Sequence, residues 1–183
     1  MDIITKAKEF ASHAHRNHVR NDEAKTPYVH HLVEVADLVK ESGGTYQEIA
    51  AAWLHDIIED TQTTIEDVRR EFGDEIAEIV AGVTDLPEWL GLSLQERKAK
   101  QAARVSKESN SIKRIKLADQ TSNVQIVGKG KLDFSMDTNF TYIDSAKKIA
   151  EGCKGVSEYL DRLFKERYQT AFENLKALEG QPR

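Results

Sequence analysis

Cysteine occurs once in the 183-residue chain, at Cys153. That excludes an intramolecular disulfide and a zinc site built from cysteines alone. Proline occurs three times (Pro27, Pro87, Pro182) and the ten glycines are scattered, so no Pro/Gly-rich linker marks a domain boundary. No apolar run approaches the roughly 20 residues of a membrane span. Positive charge is in deficit: 26 Lys and Arg against 31 Asp and Glu leave a net charge of −5. This speaks against a general nucleic-acid binder, which needs a surplus of basic side chains against phosphate. The first residues, Met1-Asp2-Ile3-Ile4-Thr5-Lys6, lack a signal-peptide pattern. A reducing cytoplasm is the expected setting, with no membrane association and no stable nucleic-acid partner. The oligomeric state is left open.

What remains is 39% hydrophobic and 31% charged residues, enough apolar material for one compact domain. Apolar residues recur at three- and four-residue intervals almost throughout, the period of helices. Ile3, Ile4, Ala7, Phe10, Ala11 and Ala14 form one face; Leu32, Val35, Ala36 and Val39 form another, ending near Gly43-Gly44. Ile49, Trp53, Ile57 and Ile58 form a third. Thr63 and Glu66 fit a capping box for a short helix ending at Gly73. Residues 76–83, 94–105, 112–127, 142–153 and 156–178 supply further helices, and 127–134, with two glycines, is expected to be a loop. The fold expected is all-α, a helical bundle in a single domain over 1–183.

The segment Ala51-Ala52-Trp53-Leu54-His55-Asp56-Ile57-Ile58-Glu59-Asp60 reads as a central helix, apolar on nearly all sides. Yet it carries His55 and Glu59, and Asp56 and Asp60, each pair four residues apart and so on one helical face. Carboxylates in such a place need a cation or a water-filled cleft. A divalent metal would meet that need with His55 and Asp56, leaving Glu59 and Asp60 to face the metal-bound water. The plainer alternative is a helix end with surface pairs. Two other residues bear on the choice. His31 opens an apolar helix after Pro27-Tyr28-Val29-His30, and Asp119 ends the apolar run Ile115-Lys116-Leu117-Ala118. Two nitrogens and two carboxylates from three helices suit a transition metal or zinc without singling one out. The sequence barely separates His30 from His31; His13, His15 and His18 read as solvated or substrate-facing.

Four stretches resemble the HD superfamily of metal-dependent phosphohydrolases, and more closely the hydrolase domain of RelA/SpoT enzymes. They are Thr26-Pro27-Tyr28-Val29-His30-His31; Ala51 to Thr61; Phe72-Gly73 with Val80-x-x-Val83-Thr84-Asp85; and Ile115-Lys116-Leu117-Ala118-Asp119-x-x-x-Asn123. A weaker match around Tyr142, Ala146 and Ala150 extends the likeness to about residue 167, leaving the C-terminal helix to 179 beyond it. The length resembles the stand-alone small alarmone hydrolases, including the animal-type SpoT homologues, which carry no nucleotide-synthesising domain. The resemblance implies an HD-type helical bundle that binds one divalent ion, manganese, through His31, His55, Asp56 and Asp119. It implies that Glu59 and Asp60 work on the attacking water, and that Arg20, Lys116, Asn123 and Tyr142 meet the substrate. The implied reaction removes pyrophosphate from the 3′ position of guanosine 3′,5′-bispyrophosphate.

The chain departs from the family pattern at Asn21 (usually Lys), Gln120 (usually Arg), Val124-Gln125-Ile126 (usually Met-Arg-Thr) and Ser145 (Trp in animal-type members). Lys113, Arg114, Lys116 and Lys129 are candidates to restore positive charge near the site. Other readings stand beside the main one. They are an HD phosphohydrolase for another nucleotide carrying a 2′- or 3′-phosphate or for a nucleoside phosphate, a non-catalytic nucleotide-sensing module, and a plain helical interaction protein.

Overall fold

The computed structural model describes residues 2–130, 132 and 134–180. The expected domain of 1–183 therefore includes Met1, Lys131, Asp133 and residues 181–183, which lie outside the described residues. Among the described residues ten α-helical segments follow in order: α1 (Ile3–Ala14), α2 (Val29–Glu41), α3 (Tyr46–Trp53), α4 (Ile57–Asp60), α5 (Ile65–Phe72), α6 (Asp74–Val83), α7 (Leu94–Val105), α8 (Asn110–Val127), α9 (Met136–Cys153) and α10 (Glu158–Glu179). Pro87–Trp89 adds one 3₁₀ turn. Among the described residues there is no strand, only isolated bridges at Val19–Pro27 and Asp22–Leu132. No helix among them is long and apolar enough to cross a membrane.

Local chemistry starts most of these helices. Asp2, Thr45, Thr64, Ser93, Ser109, Ser135 and Ser157 each accept a backbone N–H of the first turn through the side chain. Each cap satisfies a donor that the helix itself leaves unpaired. The capping box expected at Thr63 and Glu66 sits one residue later, at Thr64 and Asp67. Thr63 is instead held in the preceding turn, where its N–H donates to Thr61 Oγ1 at 3.0 Å.

The expected single helix over 51–60 is broken. Helix α3 stops at Trp53, and Leu54 and Ile57 donate to carbonyls three residues back, Ala51 and Leu54. The tightened turn changes where two side chains point. On a regular helix, neighbouring side chains diverge by about 100°; here His55 and Asp56 reach one point together.

Helix α8 is the axis of the fold, touching α2, α3, α6, α7, α9 and α10. It is buried on nearly every side, including its polar middle Asp119, Gln120, Thr121 and Ser122. One apolar cluster surrounds it, running from Ala7 on α1 to Leu175 on α10, with Leu32, Leu54, Ile57, Ile115, Ile143 and Leu160 fully enclosed. Cys153 belongs to this core, and burial pushes its thiol up to about 12.

Gly128, at the end of α8, lets α10 approach closely: a Cβ there would stand 2.3 Å from the Ala171 Cβ and 2.5 Å from its Cα. The obstacle is backbone, so relief requires moving a helix. Gly128→Ala is therefore expected to lower stability by about 1–3 kcal/mol, the cost of overpacking. Thermal unfolding of the two proteins checks this.

Candidate metal and active site

His31 on α2, His55 and Asp56 in the α3–α4 turn, and Asp119 on α8 converge. His31, His55 and Asp56 each offer a ligand atom, all within 4.8 Å of one another. The two histidine Nε2 atoms are 3.2 Å apart. Asp56 Oδ2 lies 2.8 Å from His55 Nε2 and 3.6 Å from His31 Nε2. Asp119 Oδ1 lies 3.4 Å from His31 Nε2 and 3.9 Å from His55 Nε2. Of the two adjacent histidines that the sequence barely separates, His31 is the inward one; His30 is exposed.

Hydrogen bonding on the far side of each ring fixes what these nitrogens offer. His55 Nδ1 lies 2.7 Å from the Ala52 carbonyl. A carbonyl only accepts, so Nδ1 carries the hydrogen and the neutral ring presents a lone pair at Nε2. His31 Nδ1 lies 2.9 Å from Ser122 Oγ, whose own hydrogen goes to Glu34. His31 therefore also presents a lone pair at Nε2. Two lone pairs 3.2 Å apart require a proton or a metal between them, and two carboxylates close the set.

Titration follows the same geometry. Burial holds His31 below its ordinary value. Burial acts against charge on His55 too, but Asp56 outweighs it and raises the group to about 9. Burial opposes ionisation of Asp56 and Asp119; the His55 charge on the first and the His31 bond on the second overcome it, holding both below the usual carboxylate range. Without a metal, then, a proton on His55 balances the site. The buried nitrogen–carboxylate set fits a divalent cation that takes that proton's place.

Above the cluster opens a cleft of about 230 Å³. Glu59 and Asp60 line it, as do Lys116, Asn123 and Tyr142. Glu59 Oε1 accepts the Asp85 N–H at 2.8 Å. Both acids open to the cleft, yet the protein atoms around them desolvate them. Glu59 rises to about 7, and Asp60 to about 6 with the Asp56 charge adding to the effect. Arg20 joins through Asn123: Arg20 Nη2 donates to Asn123 Oδ1 at 2.7 Å, and Asn123 Nδ2 donates to Asp119 Oδ1 at 2.6 Å.

Several contributors were not picked out by the sequence. Tyr28 donates its hydroxyl to Asp56 Oδ2 at 2.6 Å, and its ring stacks on buried His15. Arg97 and Lys98 bring α7 to the cleft wall. Lys98 is only 5% exposed. Its ammonium donates to Gln120 Oε1 at 3.0 Å and sits 4.2 Å above the Tyr142 ring. Gln120 in turn donates to Asp119 Oδ2 at 2.7 Å. Of the basic residues expected to restore charge, only Lys116 lines this cleft. Arg114 pairs with Glu48 at 3.3 Å, and Lys129 borders a different pocket.

His55, raised against its burial to about 9, chiefly by Asp56, holds a proton at neutral pH, and a divalent ion taken up at its Nε2 would displace that proton. Affinity for a divalent ion is expected to rise with pH up to about 9, by about tenfold per unit where one proton is exchanged. Manganese titration by calorimetry between pH 6 and 8 measures this; pH-independent affinity would contradict it.

The chain is similar to known proteins over most of its length. The sequence profile of the HD domain family matches residues 7–139. The chain is 30% identical over 172 residues to guanosine-3′,5′-bis(diphosphate) 3′-pyrophosphohydrolase MESH1 of Mus musculus, covering 91% of this chain and 93% of that one. It is 33% identical over 172 residues to the protein of that name from Danio rerio, covering 90% and 94%. A solved structure of a metazoan ortholog of SpoT, described as hydrolysing ppGpp and playing a role in starvation responses, superposes with a TM-score of 0.85 at 29% identity, over 92% of this chain and 95% of that one. An all-helical chain that draws two histidines and two aspartates together, and that matches the profile over most of its length, belongs to the HD domain family.

Proposed function

We propose that the protein is a guanosine 3′,5′-bispyrophosphate 3′-pyrophosphohydrolase that uses one manganese ion held by His31, His55, Asp56 and Asp119. The reading takes residues 1–183 as one hydrolase domain acting on a small-molecule nucleotide in the cytoplasm. The observation that carries it is the charge of the cleft. Among the described residues that line it, five are acids, Asp56, Glu59, Asp60, Asp85 and Asp119, and three are bases, Arg97, Lys98 and Lys116. Such a surface holds a phosphate only where a further positive charge offsets the acids, and the converging histidine nitrogens mark the place for a cation. The names of the mouse and zebrafish relatives supply the substrate.

A divalent ion bound there supplies Lewis acidity and makes water more acidic. The protein does the rest. Water adds to the phosphorus attached to the ribose 3′ oxygen; the bond from phosphorus to that oxygen breaks, and pyrophosphate and a 3′-hydroxyl result. Glu59, near 7, accepts the proton of the water, as a base matched to neutral pH should. The Asp85 N–H holds its Oε1, leaving the other oxygen to the cleft. Asp60, near 6, shares the proton traffic to the leaving oxygen. Asp85 is itself braced: Gln101 Nε2 donates to its two oxygens at 2.7 and 2.9 Å. Arg97, Lys98 and Lys116 offset the charge of the phosphates, and the Arg20–Asn123 pair and Tyr142 contact the nucleoside.

A second substrate deserves comparison because of Gln120. Where the family pattern has Arg, this amide spends its two ends on Asp119 and Lys98. The cation next to Gln120 is thus Lys98 of α7, in addition to Lys116 of α8, and a nucleotide with a 2′- or 3′-phosphate meets the same chemistry. Steady-state kinetics of the manganese-loaded protein on guanosine 3′,5′-bispyrophosphate, beside 2′-phosphorylated dinucleotides and 5′-mononucleotides, decide. Pyrophosphate release from the first is the expected result; turnover of another panel member alone would replace the substrate and keep the chemistry.

Glu59→Gln and Asp60→Asn are expected to retain manganese and lose about 10²–10⁴-fold in kcat, the usual worth of general acid–base help. Elemental analysis beside kinetics separates this from loss of a ligand. Lys98→Met is expected to raise KM for the alarmone by about tenfold or more, since a hydrogen bond to a charged group is worth about 1.5–3 kcal/mol. Unchanged KM would remove Lys98 from the substrate.

A further inference from the structure

Behind His31, on the ring edge opposite the metal cluster, runs a chain of three polar residues from three helices. His31 Nδ1 meets Ser122 Oγ of α8 at 2.9 Å. Ser122 Oγ donates to Glu34 Oε2 of α2 at 2.6 Å. Glu34 Oε1 accepts from Arg167 Nη1 of α10 at 2.6 Å, and the same guanidinium nitrogen donates to the Thr121 carbonyl at 3.2 Å. Ser122 is fully buried, and Arg167 and Glu34 are the partly covered outer end.

The direction of every bond is forced from the outside in. Arg167 only donates, so Glu34 accepts. A carboxylate only accepts, so the Ser122 hydrogen points to Glu34. Ser122 then has only lone pairs to offer His31, so Nδ1 carries the ring hydrogen and Nε2 is bare. Reversing the chain would place the hydrogen on Nε2, where it would block coordination. His55 has a simpler arrangement, a backbone carbonyl that can never donate. His31 depends on side chains to reach the same state.

We propose that Glu34, Ser122 and Arg167 are positioning residues of the metal centre, holding His31 in its Nδ1–H tautomer, so that α10 is a working part of the site. This rests on the metal reading above. It extends the centre past the 7–139 region matched by the family profile, because Arg167 lies on α10 (Glu158–Glu179). Outer partners of this kind fix ring orientation and tautomer, and their loss typically costs about 10–100-fold in metal affinity.

Three variants of the full chain, stripped of metal and titrated with manganese, test the proposal. Ser122→Ala removes the acceptor. Ser122→Thr keeps the hydroxyl and adds a methyl group in a fully buried place. Glu34→Gln keeps the shape but lets an amide N–H donate to Ser122, permitting the reversed chain. Ser122→Ala and Glu34→Gln are expected to bind manganese about 10–100-fold more weakly, and Ser122→Thr to stay closer to wild type than Ser122→Ala. A packing role gives the opposite order, because alanine fits the space and threonine overfills it. Circular dichroism verifies that each variant is folded, and Glu34→Gln carries the test if the Ser122 variants are not.

Nitrogen-15 spectra of the metal-free wild type give a reading that needs no variant: His31 is expected to hold its hydrogen at Nδ1. Wild-type affinity in both Ser122→Ala and Glu34→Gln, or a hydrogen at His31 Nε2, overturns the chain. Absence of manganese binding by the wild type overturns the metal reading and the proposal with it.

Discussion

Two imidazole nitrogens with exposed lone pairs repel one another, and a folded protein brings them together only if something positive joins them. Here His31 Nε2 and His55 Nε2 stand 3.2 Å apart, and the opposite edge of each ring meets an acceptor: the Ala52 carbonyl for His55, and for His31 the Ser122 hydroxyl, whose own hydrogen goes to Glu34. The surroundings permit a proton, shared with Asp56 at 2.8 Å, or a metal ion. Much of the architecture serves this junction. The turn after Trp53 breaks the helix so that adjacent residues can point at one place. Helix α8 is buried on nearly every side so that Asp119 can approach from the other side, and the polar residues next to it are consumed in holding that aspartate and His31 still.

The same economy governs charge. A site built for a cation is acidic, and an acidic site repels phosphates. The protein answers with bases that are themselves constrained: Lys98, held down to about 8 by burial, is tied to Gln120 and Tyr142, while Lys116 sits among Asp119, Glu59 and Asp85, which together outweigh its burial and raise it. Glu59 and Asp60 occupy the boundary, desolvated enough to hold protons near neutral pH and open enough to exchange them. In the proposed reaction, acid, base and anion subsite arise from one cluster, in which moving any charge shifts the others.

Periodicity carried most of the fold. The apolar stripe of Ile3 to Ala14 and the run of Leu94 to Val105 coincide with α1 and α7. It failed where tertiary contacts override local pattern. Nothing between Trp53 and Ile57 is a glycine or proline, so the break there has no local signal; it exists because His55 takes the Ala52 carbonyl and Asp56 meets Tyr28. The four residues the resemblance assigns to the metal were legible because ionisable groups interrupt apolar runs. Lys98 was not, because Glu96-Arg97-Lys98-Ala99-Lys100 reads as a solvated face, and only the approach of α9 to α7 buries one lysine and leaves the next exposed. Glu34 and Ser122 were invisible for a related reason: each is unremarkable alone, and 88 positions separate them.

The account stands or falls on what occupies the space between the two histidines. Crystals of the manganese-loaded protein, with anomalous scattering recorded across the manganese absorption edge, would locate the ion directly. The expected result is one anomalous peak within coordinating distance of His31 Nε2, His55 Nε2, Asp56 and Asp119, facing Glu59 and Asp60 across the cleft. A manganese peak elsewhere, or none between rings still 3.2 Å apart, would contradict it.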